Sequence, residues 1–133
     1  NGHNLEIFAL NFTVTNLLFA EDMGRPGSGI FNSTERLVQR VLNPLLKQSS
    51  IGASYVECKV IALRSMNRGS ATAIDALCSR RWEPNTTALD RQKVYWELSN
   101  QTQGITSLGP YILDKNNFFL DGYSEYHPME HLT

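Results

Sequence analysis

The sequence lacks an excess of either charge, and it lacks any apolar run long enough to cross a bilayer. Its 133 residues include 12 basic and 13 acidic side chains, which gives a formal net charge of −1. A broad nucleic-acid-binding or anionic-membrane surface needs many more basic than acidic groups. We therefore expect no nucleic-acid partner and no membrane insertion by this segment.

Histidine is scarce, which limits the catalytic and metal sites that the chain can build. The three histidines lie in predicted loose ends, at His3, His127 and His131. Neither a metal cluster nor a Ser–His–Asp arrangement can be placed in the core from them. The acidic residues that we considered are scattered and are interpreted as solvated or capping groups: Asp90, Glu97, Asp114 and Asp121. We therefore predict no catalytic residue, no metal site, no cofactor and no enzymatic activity.

Cysteine is also scarce, but the two cysteines are symmetrically placed. Cys58 and Cys78 lie in two β-rich runs separated by Asn67-Arg68-Gly69, where glycine supplies the positive φ of a tight reversal. If the chain folds back at Arg68, the two cysteines face each other across an antiparallel pair, within disulfide reach. We therefore predict a Cys58–Cys78 disulfide, which would stabilise the fold by roughly 3 kcal/mol on the loop-entropy model. The alternative is a pair of reduced core cysteines.

The same register sorts the other hairpin residues onto two faces. It places Val60 opposite Ala76 and Ala62 opposite Ile74, on the face of the cysteines. The second face is mixed and carries Glu57, Lys59, Ile61, Leu63, Asp75, Leu77 and Ser79. A slip of one residue would separate the cysteines and scatter the apolar residues, so one register satisfies both requirements.

Strand and helix patterns alternate in the first half of the chain. Hydrophobic residues make up 41% of the sequence and charged residues 19%, as is typical of a single folded domain. Alternate apolar residues predict a strand from Phe8 to Val14. Asn32, as N-cap, opens a predicted helix that breaks at Asn43 because Pro44 cannot donate a helical hydrogen bond. The apolar stripe of this helix is formed by Leu37, Val38, Val41 and Leu42.

The second half of the chain predicts one more helix and one more strand. The helix runs between a cap at Thr87 and Asp90 and a stop at Gly104. The last strand is placed at 118–122, within 111–123. The order of elements predicts an α+β fold of the ferredoxin-like βαββαβ kind, a four-stranded antiparallel sheet with both helices on one face. Residues 1–7 are assigned to a linker or cloning remnant, 8–123 to the domain and 124–133 to a flexible tail.

Four Asn-x-Ser/Thr sequons indicate an extracellular compartment. Their asparagines are Asn11, Asn32, Asn85 and Asn100, and none of the triplets has proline in the middle. Asn11 falls on the polar face of the first strand, and the others fall at a helix start, in a loop and on an outward helix face. We therefore predict that all four are exposed N-glycosylation sites. No signal peptide is visible at Asn1, so an extracellular chain would be a piece of something longer.

Several stretches together resemble the SEA domain family. They are NFTVTNLLFAEDMGRPGSGIFNSTERLVQRVLNPLLKQSS, YVECKV, ATAIDALC, DRQKVYWELSNQTQGI and LGPYILDKNNFFLDGY. The resemblance covers Leu10 to Tyr123, and it is specific because RPGS, NSTER, the paired cysteines and YWELS occur together. The sequence is similar in particular to the SEA repeats of a giant membrane-tethered mucin that carries the ovarian-cancer antigen.

The resemblance implies an extracellular βαββαβ module within a glycosylated stalk or cell-surface barrier. The parent would be a membrane-tethered protein that is retained at the cell surface or shed. Partners would be cell-surface proteins or carbohydrates, and the resemblance implies binding of mesothelin through N-glycans. As an isolated domain, the chain is expected to be a monomer.

Two alternatives involve chemistry, one implied by the family and the other by a glycine-rich loop on this fold plan. Some SEA domains cut their own chain between Gly and Ser in the central hairpin, and Gly69-Ser70 matches that position. Ala71-Thr72-Ala73 replaces the three valines that follow the cut in those domains, so less folding strain can reach the turn. We therefore predict an intact chain and a vestigial cleavage position. The remote alternative is a small-phosphate enzyme in which the loop Gly24–Gly29 holds an anion.

Overall fold

The computed structural model describes residues 4–126 as an antiparallel sheet with two helices. The strand order is β2-β3-β1-β5-β4. In chain order the elements are β1 (Asn4–Val14), α1 (Gly29–Lys47), β2 (Tyr55–Met66), β3 (Ala71–Trp82), α2 (Arg91–Gln101), β4 (Ser107–Leu108) and β5 (Tyr111–Leu120). Short 3-10 turns occupy Glu21–Gly24 and Asn67–Gly69. The predicted α+β class is therefore correct.

The sheet has five strands, so the predicted count of four is wrong. The additional strand, β4, has only two residues, which pair with Ile112 and Tyr111 of β5. Two residues are too few to show a period of two, and for that reason the sequence did not reveal them. The last strand begins at Tyr111 and ends at Leu120, rather than spanning 118–122. The ferredoxin-like label stays a prediction.

One face of the sheet and both helices enclose the core. Alternate residues of β1 are buried: Phe8, Leu10, Phe12 and Val14. The same core contains Val38 and Leu42 of α1 and Val94 and Leu98 of α2. Because side chains of both helices belong to the same core as these residues of β1, both helices pack on that face of the sheet.

β1 begins at Asn4, so residues 4–7 are strand and not linker. Asn4 pairs with Trp82 and Leu5 with Arg81 of β3. The sequence did not reveal this extension because the apolar residues Leu5 and Ile7 occupy the outward positions of the strand and the charged Glu6 occupies an inward one. Here Leu5 points to solvent, while Glu6 faces inward and forms a 2.6 Å ion pair with the buried Arg80.

Helix α1 differs from the prediction at its start and at its proline. The N-cap is Ser28, whose hydroxyl accepts a hydrogen bond from the Phe31 amide, and Asn32 lies in the first turn. The predicted break at Asn43 is absent, and the helix continues through Pro44. Three buried side chains of the last turns hold this segment against the core: Leu42, Leu45 and Leu46. Leu37, expected in the apolar stripe, is about half exposed.

Helix α2 follows the prediction more closely. Asp90 is the N-cap, and its carboxylate accepts a hydrogen bond from the Lys93 amide. Val94, Tyr95 and Leu98 are buried against the core. The helix ends at Gln101. Gly104 has a φ of 79°, and its amide donates a hydrogen bond to the Ser99 carbonyl.

Candidate functional site: the central hairpin and the glycan acceptors

The β2–β3 hairpin contains the predicted disulfide. Cys58 pairs with Cys78 in the sheet register, the two sulfurs are bonded, and both residues are buried. The Tyr55 hydroxyl lies 3.3 Å from Cys58 Sγ and donates a 2.6 Å hydrogen bond to Asn43 Oδ1. Burial, followed by the nearby Glu57 carboxylate, raises the pKa of the Tyr55 phenol, so this hydroxyl stays protonated and can donate.

A β-bulge at Ile61 changes the predicted register beyond the cysteines. Val60 faces Ala76 as expected, but Leu63, rather than Ala62, faces Ile74. The extra residue of a bulge moves every later side chain to the opposite face. Leu63 is therefore buried in the core and does not belong to the mixed face.

Helix α1 covers part of the outer edge of β2. The Gln39 side-chain amide donates to the Cys58 carbonyl at 2.8 Å, and the Val60 amide donates to Glu35 Oε2 at 2.8 Å. Both backbone groups would otherwise be open for pairing with another strand. Glu35 thus shields the edge of the sheet beside the disulfide.

Gly69-Ser70 lies in the hairpin turn, at the position predicted to be vestigial. Three consecutive residues have positive φ: Asn67 at 51°, Arg68 at 58° and Gly69 at 91°. The Ser70 hydroxyl donates to the Asn67 carbonyl at 2.9 Å. Self-cleavage needs this oxygen to attack the Gly69 carbonyl carbon. The hydrogen bond to Asn67 instead orients the Ser70 hydroxyl toward a different carbonyl.

The carbonyl of Gly69 is itself held in place by the loop after β1. Its oxygen accepts a 2.9 Å hydrogen bond from the Phe19 amide. The Thr72 hydroxyl donates to the Leu17 carbonyl at 2.8 Å and ties the same loop to β3. A single amide donor at this oxygen could stabilise some negative charge, but no histidine occurs between residues 4 and 126 to act as a base.

The four sequon asparagines lie on different parts of the surface. Asn32, Asn85 and Asn100 are exposed, as predicted. Asn85 borders a polar cavity of about 420 Å³ that is also lined by Arg81 and Glu83. Glycans at these positions would stand clear of the core.

Asn11 is only partly exposed, which is less than the sequence predicted, but it is not buried. Its side-chain amide donates to Asp75 Oδ1 at 2.8 Å, and Arg64 binds the same carboxylate through Nε at 2.7 Å. Burial alone would raise the pKa of Asp75. The hydrogen bonds from Arg64 and Asn11 outweigh burial and lower that pKa, so the carboxylate is ionised at neutral pH. Sequence reasoning found Asn11 by its sequon, but nothing in the sequence pointed to Asp75 as its partner or to Arg64 as the second partner of Asp75.

The glycine-rich loop forms hydrogen bonds within itself. The Arg25 amide donates to the Asp22 carbonyl, and the Ser28 amide donates to the Arg25 carbonyl. Asp22 also pairs with the Arg25 guanidinium at 2.6 Å. Two of the loop amides, those of Arg25 and Ser28, are therefore engaged within the loop itself.

Polar and aromatic side chains of α2 have structural contacts. Asp90 caps α2, and Glu97 Oε1 accepts hydrogen bonds from Ser50. Tyr95 is buried, and its ring lies edge-on to the half-exposed Trp96 at 5.4 Å. Across residues 4–126, no group of three His, Cys, Asp or Glu side chains could hold a metal ion. The predictions for His3, His127 and His131 lie outside the described residues.

Among the described residues, no helix combines the length and the apolar character needed to span a membrane. Comparison with known protein families matches residues 6–114 to the SEA domain. The matched range includes the disulfide, the hairpin turn and all four sequons.

Proposed function

The chain belongs to the SEA domain family, and from that premise we propose that it is a structural and interaction module of a membrane-tethered mucin. SEA domains are generally extracellular and non-enzymatic. In the proposed setting, the module stands in the glycosylated barrier of the cell surface, or is shed with its parent. Cell-surface proteins or carbohydrates would be its partners.

The observation that carries this proposal is the combination of a buried disulfide with four surface sequons. A disulfide persists in an oxidising, extracellular compartment, where N-glycosylation also takes place. Asn11 lies on the sheet face opposite the helices, whereas Asn32 and Asn100 lie on α1 and α2. Glycans on opposite sides of one rigid module fit a display function better than a catalytic one.

We further propose that the N-glycans mediate binding to mesothelin. The test is binding of the protein secreted from animal cells to immobilised mesothelin, before and after enzymatic removal of N-glycans. Loss of binding is expected, and unchanged binding would overturn the glycan-mediated mode. Peptide mapping of the same material should find sugar at Asn11, Asn32, Asn85 and Asn100.

A matched pair of variants separates the sugar from the polypeptide at one site. Asn32→Gln removes the acceptor, whereas Ser33→Ala changes the neighbouring residue and leaves the sequon intact. If the Asn32 glycan contributes, only Asn32→Gln should weaken binding. Equal loss in both variants would assign the effect to the polypeptide surface at the start of α1.

Self-cleavage at Gly69-Ser70 is the second candidate, favoured by the hydrogen bond from the Phe19 amide to the Gly69 carbonyl oxygen. The hydrogen bond from the Ser70 hydroxyl to Asn67 opposes it, because the nucleophile is turned away. We therefore propose that the folded chain stays intact.

A further inference from the structure

The sheet face opposite the helices carries an exposed apolar patch, which we call the outer patch and define by Ile7 of β1, Ile61 of β2 and Leu77 of β3. Their exposed fractions are 54%, 50% and 41%, and they border one depression of about 310 Å³. A sheet face in contact with water normally carries polar residues at such positions. Contiguous aliphatic side chains therefore indicate that something covers this part of the sheet.

The strand register places a glycan acceptor at the border of the outer patch. Asn11 and Ile7 are an even number of residues apart on β1, so their side chains project from the same face. Asn11 pairs with Asp75 of β3, whereas Ala9 pairs with Leu77. Leu77 therefore lies one side-chain step, about 7 Å, along the sheet from the row that contains Asn11. A sugar on Asn11 starts beside the apolar surface.

Two features of the chain prepare this border for a sugar. The Asn11 side-chain amide donates to Asp75 Oδ1 at 2.8 Å, and Arg64 holds the same carboxylate through Nε at 2.7 Å. An N-linked sugar leaves one amide hydrogen for this contact, so its first ring is attached to a side chain of fixed position. Ala9 lies between Asn11 and Ile7 on the same face, and its single methyl group leaves a low place over which a ring can lie.

The chemistry around the outer patch matches an N-acetylglucosamine ring. Such a ring has faces made of C–H groups and an acetyl methyl group, which lose water when they pack on aliphatic side chains. Its hydroxyls remain at the edge of the ring. Glu57 and Lys59 line the same depression, and within residues 4–126 neither forms an ion pair. One carboxylate and one ammonium group can therefore accept from and donate to the sugar hydroxyls.

We propose that the inner sugars of the N-glycan at Asn11 lie on the outer patch and cover it. This inference rests on the proposed N-glycosylation, and it gives the Asn11 glycan a role that a glycan at Asn32 on α1 does not share, because it completes the surface of the sheet. The glycan is bulky, so it also keeps a protein partner off this face. Its outer branches extend beyond the outer patch and remain available to cell-surface partners.

The test is nuclear magnetic resonance of protein secreted from animal cells with high-mannose glycans, which an endoglycosidase trims to single N-acetylglucosamine residues. Nuclear Overhauser contacts are expected between the sugar at Asn11 and the methyl groups of Leu77 and Ile61. The methyl groups of Leu18, which lies in the loop after β1 and is 73% exposed, are the control and should show no such contacts.

Two substitutions in the sequon assign the contacts to this sugar. Thr13→Val removes the sequon but keeps Asn11 and its hydrogen bond, whereas Thr13→Ser keeps the sequon as well. The contacts to Leu77 should disappear in Thr13→Val and persist in Thr13→Ser. Contacts that survive Thr13→Val would belong to another glycan and would overturn the proposal.

Thermal unfolding measures what the covering sugar contributes to stability. The fall in Tm from the wild type to Thr13→Val should be smaller in a Leu77→Ser background, because the apolar surface under the sugar is reduced. In a Leu18→Ser background the fall should be unchanged. Equal falls in the two backgrounds would count against the proposal.

Peptide mapping of the same material separates this inference from the function on which it rests. A sugar at Asn11 that makes no contact with Leu77 overturns the covering role alone and leaves the proposed glycosylated module intact. An Asn11 that carries no sugar overturns both the covering role and the proposed use of that sequon.

Discussion

The side-chain amide nitrogen of Asn11 lies 2.8 Å from Oδ1 of Asp75, so one glycan acceptor is also a structural hydrogen-bond donor. The amide of asparagine has two hydrogens, and an N-linked sugar replaces only one of them. The remaining hydrogen can still be donated to the carboxylate. The glycan and the hydrogen bond are therefore compatible, although the residue is only partly exposed.

The Asp75 carboxylate should make the stability of the fold depend on pH. Hydrogen bonds from Arg64 and Asn11 outweigh the effect of burial and lower its pKa from the ordinary value of 3.8. The stabilisation is therefore fully present above that value and is lost as the pH falls through the lower pKa of the folded state. Asp75→Asn should lower the free energy of unfolding by about 1–2 kcal/mol at neutral pH, and by less in strong acid.

Urea unfolding of the wild type and of Asp75→Asn, at neutral pH and in strong acid, measures how the loss of stability depends on pH. Glu83→Gln makes the same charge change at an exposed position and should have little effect at either pH. An equal loss for Asp75→Asn in acid and at neutral pH would contradict the assigned role of its charge.

The disulfide should add stability without being required for the fold. Replacing both Cys58 and Cys78 by alanine should lower the free energy of unfolding by roughly 3 kcal/mol through loop closure, with a further loss because both side chains are buried. The core formed by the sheet and both helices should still assemble. Denaturant unfolding, together with circular dichroism of the variant at neutral pH, tests both statements. A variant that is unfolded in buffer would show that the bridge is essential.

The folded chain should remain uncut at Gly69-Ser70. Because the Ser70 hydroxyl is bound to the Asn67 carbonyl, it is not placed to attack Gly69. An SDS gel and an intact mass spectrum after days at neutral pH should show a single species, identical in behaviour to Ser70→Ala. Two fragments with a new N-terminus at Ser70, absent in Ser70→Ala, would instead identify a self-processing domain.

Pro44 should reduce the stability of α1 even though it does not break the helix. Proline lacks the amide hydrogen that an interior helical residue donates, and this position is exposed. Pro44→Ala should therefore raise the free energy of unfolding by roughly 1–3 kcal/mol. Arg36→Ala, an exposed change in the same helix, is the control and should have a much smaller effect. A destabilised Pro44→Ala variant would mean that the ring makes contacts that the helix needs.

The sequence by itself determined the central hairpin and the inward face of β1. Cys58 and Cys78 are placed symmetrically about the turn, with alternating apolar residues on each side. One register therefore both brings the cysteines together and collects the apolar residues on one face. The alternation from Phe8 to Val14 likewise assigns the buried face, because side chains in a strand point to opposite faces in turn. These are local patterns, and they can be read without knowing the neighbouring strands.

Only the tertiary structure decided where those local rules are broken. The bulge at Ile61 turns Leu63 into the core, and core packing around Leu45 keeps the helix continuous past Pro44. Glu6 faces inward because the buried Arg80 comes from a strand more than 70 residues away in the sequence. The exposed apolar side chains of Ile7, Ile61 and Leu77, too, come together only once three strands are paired. Each of these features depends on contacts between distant residues, and such contacts leave no periodic signal in the chain itself.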